Sequence, residues 1–239
     1  MHTPRPGTGY ATRKGGRVLK ALRLFSGVLL LATLVLMIAA NDVILTGASE
    51  NALDLSDGLI LLGFFAIYLY YIFSLTKEKT ESVEKIETTS LPLAIALVAA
   101  GIVGLGLGGQ WLVDGASTIA RRLGMSEALI GLTIVALGTS LPELATSVTA
   151  ALRGNADMAV GNVVGSNIFN ILWILGFSST IHKINYNRIL NIDMLFLIFV
   201  TLVFFLFTFT GKKHRVDRFE GGIFLLGYVL YIVFVVLRG

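Results

Sequence analysis

Between residues 131 and 177 the chain reads GLTIVALGTSLPELATSVTAALRGNADMAVGNVVGSNIFNILWILGF, and its few polar side chains fall into two groups. Thr139, Ser140 and Glu143 surround Pro142 in the first half; Asn162, Ser166, Asn167 and Asn170 occupy the second. Together they offer hydroxyls, amide oxygens, backbone carbonyls and one carboxylate. Such hard oxygen donors suit calcium or magnesium, and sodium by the same reasoning, rather than copper or zinc. An isolated charge in mid-bilayer costs about 2.5–3.5 kcal/mol on insertion scales, so Glu143 must be protonated, hydrogen-bonded or bound to a cation.

Local chemistry suggests how such donors are exposed. Pro142 has no N–H for the carbonyl of Gly138 and its ring pushes that carbonyl aside, so a broken helix is expected. Thr139 and Glu143, four residues apart, are expected on one face with Ser140 adjacent. Asn162, Ser166 and Asn170 repeat at four-residue spacing, and Gly161 and Gly165 sit one position before the first two. Each feature has a plainer reading: a simple kink for Pro142, interhelical hydrogen bonding for the Asn and Ser stripe. Glu143 is the residue for which the plain reading is weakest, because intramembrane carboxylates mark functional sites by default.

The elements that must hold these residues are apolar. The chain of 239 residues is 55% hydrophobic and only 14% charged, with mean hydropathy +0.80; a soluble domain carries closer to a quarter charged residues. Seven apolar runs, at 24–40, 58–75, 91–113, 127–152, 156–179, 190–210 and 221–237, are each long enough to cross a ~30 Å hydrocarbon core as helix. An all-α integral membrane protein follows, because helices satisfy their own backbone groups in lipid. Continuous apolar runs exclude a transmembrane β-barrel, whose strands alternate. With no cysteine there are no disulfides and no thiolate metal sites.

Residues 1–23 are basic, with early prolines and glycines, and are expected to form a disordered cytoplasmic tail before an anchoring span, not a cleaved signal peptide. Residues 41–57 read as an acidic loop, 76–90 as a charged cytoplasmic linker, 114–126 and 182–188 as short polar connections, and 211–218 as a basic loop. Counting alternate loops puts fourteen Lys and Arg on the side of the N-terminus against five on the other. That predicts a cytoplasmic N-terminus and an external C-terminus. Gly104, Gly106 and Gly109 match GxGxxG, but inside an apolar helix they predict close helix packing rather than dinucleotide binding. Asn155 and Asp157 are expected to cap a helix after the turn at 153–155. Asp114, Glu127 and Asp193 lie near span ends. His182 and His214 lie in loops and receive no ligand role, and Trp111 and Trp173 read as interface or packing residues.

A weak internal repeat appears at an offset of 163 residues. Asp57-Gly58 falls on Glu220-Gly221, Ile60 on Ile223, Leu62 on Leu225 and Tyr68 on Tyr231. Repeated transmembrane units are common in transporters. By this register the 131–177 stretch has no counterpart within the chain, which reads as one full unit preceded by the tail of another.

The segments GLTIVALGTSLPELATS and GNVVGSNIFNI resemble the α-repeat of the cation/calcium exchanger superfamily, of the bacterial and archaeal sodium/calcium exchanger type. The resemblance implies a ten-helix antiporter of two inverted halves, each with one α-repeat, working by alternating access. Residues 24–75 would be the last two helices of the first half. Residues 91–239 would be the second exchanger membrane domain, with its α-repeat at about 127–179 and a sliding gate helix at 91–113. Carried over by position, Thr139, Ser140 and Glu143 match ion ligands of the first broken helix, with the Gly138 carbonyl as a further donor; Ser166 and Asn170 match those of the second. Glu143 would be the principal calcium carboxylate. Sodium-coupled members can carry aspartate where Asn170 stands, which leaves sodium or protons as the coupling ion.

The expectation is therefore calcium:sodium antiport across the cell membrane, by a subunit or an N-terminally truncated form. The first α-repeat would come from a second chain, and calcium and sodium would be transported ions, with no cofactor. The alternatives are a calcium/proton exchanger or a non-transporting truncated or accessory membrane protein. No nucleic-acid partner is expected. An enzyme is disfavoured: the chain has no HExxH, no GxSxG, and no His or Cys partner within the spans.

Overall fold

Apolar runs of membrane length fold into helices here, as their backbone requires in lipid. The structure, a computed structural model, describes residues 8–45, 47–76, 90–210 and 218–238. The long helices are α1 (Thr8–Ala39), α3 (Leu55–Thr76), α4 (Leu91–Arg122), α7 (Leu141–Leu152), α8 (Ala156–Phe169), α10 (Asn191–Thr210) and α11 (Arg218–Arg238). Shorter pieces are α2 (Asp42–Leu45), α5 (Glu127–Ile130), α6 (Ala136–Thr139) and α9 (Gly176–Ile181). Two π-helical segments, Gly131–Val135 and Asn170–Leu175, join α5 to α6 and α8 to α9. Six helical segments are long and apolar enough to cross a membrane, and the pair Gly131–Thr139 and Leu141–Leu152, bent by 53°, passes the same test together. The multi-pass, all-α reading of the sequence holds.

Several boundaries differ from the sequence expectation. Helix α4 does not end near residue 113 but continues to Arg122. Its segment DGASTIARR holds no proline and closes on the helix formers Ala120, Arg121 and Arg122. It stops at Gly124, where φ is +81°. Met125 N donates to the Ala120 carbonyl (3.1 Å) and Gly124 N to that of Arg121 (3.0 Å), the paired closure that a left-handed glycine permits. Helix α7 ends the same way at Gly154. Asn155 then caps α8 through its Oδ1, which accepts from Met158 N at 3.2 Å, as expected. Helix α1 begins at Thr8, inside the stretch expected to be disordered. The start of that tail (1–7), nearly all of the linker (77–89) and most of the basic loop (211–217) lie outside the described residues.

The described residues form two compact units, divided within α8 between Val163 and Val164. In the first, α1 packs along α10 and α3, and α3 packs along α9. Gly58 permits the last contact: a β-carbon there would stand 2.6 Å from Ser179 Oγ and 2.7 Å from the Gly176 carbonyl. Phe65 anchors an aromatic cluster, with ring centroids 5.8 Å from Phe169 and 5.3 Å from Trp173. Trp173 is thus a packing residue. A two-residue ribbon, β1 (Ala52–Leu53) against β2 (Ile184–Asn185), pairs antiparallel within the two stretches expected to be loops. Beside it, Asn191 Nδ2 donates to Asn41 Oδ1 at 2.7 Å.

The second unit contains α4 to α7, α8 up to Val163, and α11 from Gly222. There Gly109 of α4 lies against Gly138 of α6: a β-carbon on Gly109 would stand 3.5 Å from the Gly138 carbonyl oxygen. One on Gly138 would stand 1.9 Å from Val113 Cγ2. Of the three glycines in the GxGxxG match, Gly109 serves this close approach, while Gly104 and Gly106 have nothing within 4 Å of a β-carbon.

Candidate cation-binding site

The broken span is built from short-range chemistry. Ser140 joins α6 to α7 with φ −92° and ψ 2°. Its N–H donates to Leu137, three residues back (3.1 Å), so α6 ends in a tightened turn. Pro142 then sits in the first turn of α7, where a missing N–H costs no helical bond. The Gly138 carbonyl, which Pro142 has no N–H to bond, lies toward Gly109. The predicted break is present, and it falls at Ser140.

The break alters one expectation. Thr139 and Glu143 do not stack on one helical face, because Thr139 ends α6 and Glu143 lies in the first turn of α7, across the 53° bend. Thr139 and Ser140 are exposed, and Thr139 Oγ1 donates to the Ala136 carbonyl at 3.1 Å. Glu143 is half-buried. Among the described residues its Oε2 is the buried side-chain polar atom that lacks any hydrogen-bond partner. A carboxylate oxygen shut off from water and from donors needs a proton or a cation. Its position at a helix N-terminus favours negative charge by a further fraction of a kcal/mol, about 0.3–1.

One turn further along α7, Ser147 is buried. Asn162 of α8 reaches both residues: Nδ2 donates to the Glu143 carbonyl at 3.1 Å and to Ser147 Oγ at 3.0 Å. Sequence reasoning passed over Ser147, although its place four residues after Glu143 puts it on the same face. Ser166 and Asn170 belong to the other unit; Ser166 is half-buried, and Asn170 is exposed and opens the second π segment. The helix is α through Phe169, so the four-residue spacing from 162 to 170 is kept and the π turn shifts the register only beyond Asn170. Among the described residues no three His, Cys, Asp or Glu side chains stand together as a metal cluster. Any cation bound at the break would meet one carboxylate among neutral oxygens.

A family profile described as sodium/calcium exchanger protein matches residues 93–237. The chain belongs to this family. Comparisons with individual proteins follow the same line. The chain is 43% identical over 114 residues to sodium/calcium exchanger MaX1 of Methanosarcina acetivorans, covering 46% of this chain and 31% of that protein. It is 35% identical over 176 residues to the uncharacterised membrane protein MJ0091 of Methanocaldococcus jannaschii, covering 74% of this chain and 56% of the relative. Among solved structures, the sodium-calcium exchanger NCX_Mj soaked with 10 mM Na+ and zero Ca2+ superposes with TM-score 0.69 at 32% identity, over 90% of this chain and 66% of that one. The chain thus spans less than two thirds of the length of each of these proteins.

Proposed function

We propose that this chain works in a calcium/cation antiporter, exchanging calcium for sodium across the cell membrane by alternating access. The observation that carries the reading is Glu143: a carboxylate oxygen, buried and without a partner, beside a break in a membrane span. Family membership supports the same chemistry. In this reading Glu143 is the principal calcium ligand, and the family resemblance adds Thr139, Ser140, the Gly138 carbonyl, Ser166 and Asn170 as further donors.

Calcium takes 6–8 oxygens, so one carboxylate with these neutral donors is completed by a first α-repeat, in the same chain or in a second one. Asparagine at 170 leaves this half a single negative charge, and the coupling ion is sodium or a proton accordingly. The charge bias of the loops orients the N-terminus to the cytoplasm and the C-terminus outside.

The test is calcium uptake into vesicles reconstituted with this chain, alone and together with a chain bearing a first α-repeat. Sodium-gradient-driven uptake is expected in at least the paired preparation, and Glu143→Gln is expected to abolish it. Undiminished flux in the Glu143→Gln protein would remove this carboxylate from the mechanism.

A further inference from the structure

Asn162 stands one helical turn before the residues to which the family resemblance assigns ligand roles, and none of the chemistry above uses it. Its environment is specific. A single amide nitrogen donates twice to one turn of α7, to the Glu143 carbonyl (3.1 Å) and to Ser147 Oγ (3.0 Å). A helical carbonyl already accepts from the N–H four residues on and has a second lone pair to offer. The amide takes that lone pair and the side chain stacked beneath it. Both bonds leave one nitrogen and end at the same level of α7, because the carbonyl of residue 143 points along the helix toward residue 147; together they pin that level of α7 to α8. A link between two helices could be made anywhere along their contact; this one grips the residue whose carboxylate oxygen is buried and unpartnered.

We infer that Asn162 is a positioning residue for the cation site: it fixes where α7 delivers the Glu143 carboxylate and so sets cation affinity without touching the ion. The inference rests on the reading of Glu143 as a cation ligand. The residue type is part of it. Aspartate and leucine lack the two donors, and serine is too short to span both acceptors. Groups that orient a ligand from behind typically change metal affinity by about 10- to 100-fold when removed.

The test uses the full chain in liposomes and needs no transport. Glu143 is labelled with dicyclohexylcarbodiimide, the adduct is read by mass spectrometry, and the calcium or sodium concentration giving half-protection is measured. Asn162→Leu, of similar size but without donors, is expected to raise that concentration about 10-fold or more. Ser147→Ala, which removes one of the two bonds, is expected to raise it several-fold less. A merely structural link would reduce the yield of folded protein and leave the half-protection concentration of the folded fraction unchanged. Half-protection at the wild-type concentration in Asn162→Leu, or in Ser147→Ala should the leucine variant not fold, overturns the inference while leaving Glu143 as a ligand. Wild-type Glu143 that is labelled equally with and without either cation overturns the ligand reading, and this inference with it.

Discussion

The two halves of the 131–177 stretch differ in one respect that their polarity does not explain. Each carries a π-helical segment, Gly131–Val135 in one and Asn170–Leu175 in the other. Both halves carry several polar side chains, yet Ala156–Ile181 runs on as one 26-residue span. The first half breaks by 53°. Amides and hydroxyls find partners without disturbing a helix, as Asn162 does. Proline removes a backbone donor, and no side chain can restore it to the carbonyl left behind. Backbone chemistry, more than side-chain polarity, breaks this membrane-length helix.

Each arm of this contrast has a glycine seat that can be disturbed. The unbroken span rests on Gly58, where a methyl group would meet backbone at 2.7 Å as well as Ser179 Oγ. Gly58→Ala is therefore expected to cost the most, about 3 kcal/mol, measured by urea or thermal unfolding in detergent. The broken span rests on Gly138, where the obstacle is a single valine methyl. Gly138→Ala should cost about 1–2 kcal/mol, and Val113→Ala in the same protein should recover most of it. No recovery would mean that the α4 contact does not hold the break.

Smaller effects refine the picture. Asp54 starts α3, the helix that seats the unbroken span: its Oδ1 accepts from Ser56 N at 2.7 Å and Asp57 N at 3.2 Å, and Asp57 Oδ2 accepts from Asp54 N at 3.0 Å. Asp54→Ala is expected to lose about 1 kcal/mol. The Ser56 hydroxyl, followed by the Asp57 and Ser56 amides, holds the Asp54 carboxyl below its ordinary 3.8. Its contribution is therefore complete above that pH and fades as the pH falls through the lower folded value. The gap in melting temperature between wild type and Asp54→Ala should close in that acid range and persist at neutral pH. Least costly to stability is Pro142→Ala, which returns an N–H to the Gly138 carbonyl. If the proline makes the bend, spin labels at Gly131→Cys and Leu152→Cys should move apart by about 3 Å, given 1.5 Å per residue on each straightened arm.

The contrast also marks what a reader of the sequence can and cannot see. Hydropathy over runs of membrane length made the crossings legible, and Pro142 with Glu143 made the break and its unpaired charge legible. The π segments were hidden, because one extra residue per turn has no signature in residue type. Helix α4 beyond residue 113 was hidden because polar residues ending a span look the same whether they continue the coil or leave it. The ribbon between Ala52–Leu53 and Ile184–Asn185 joins two-residue strands more than a hundred positions apart, and so short a pattern predicts nothing. Ser147 was overlooked because its partner, Asn162, lies beyond a turn and on another helix.

The first compact unit draws its helices from the two ends of a long interruption: α1 and α3 come early in the chain, α9 and α10 late. A ribosome would thread the intervening helices into the bilayer before that unit could close, a delay on the order of ten seconds at ordinary synthesis rates. During that interval Gly58 faces the bilayer without Gly176, and Asn41 waits for Asn191. Nascent chains stalled before residue 164 would therefore be the species that membrane quality-control proteases meet.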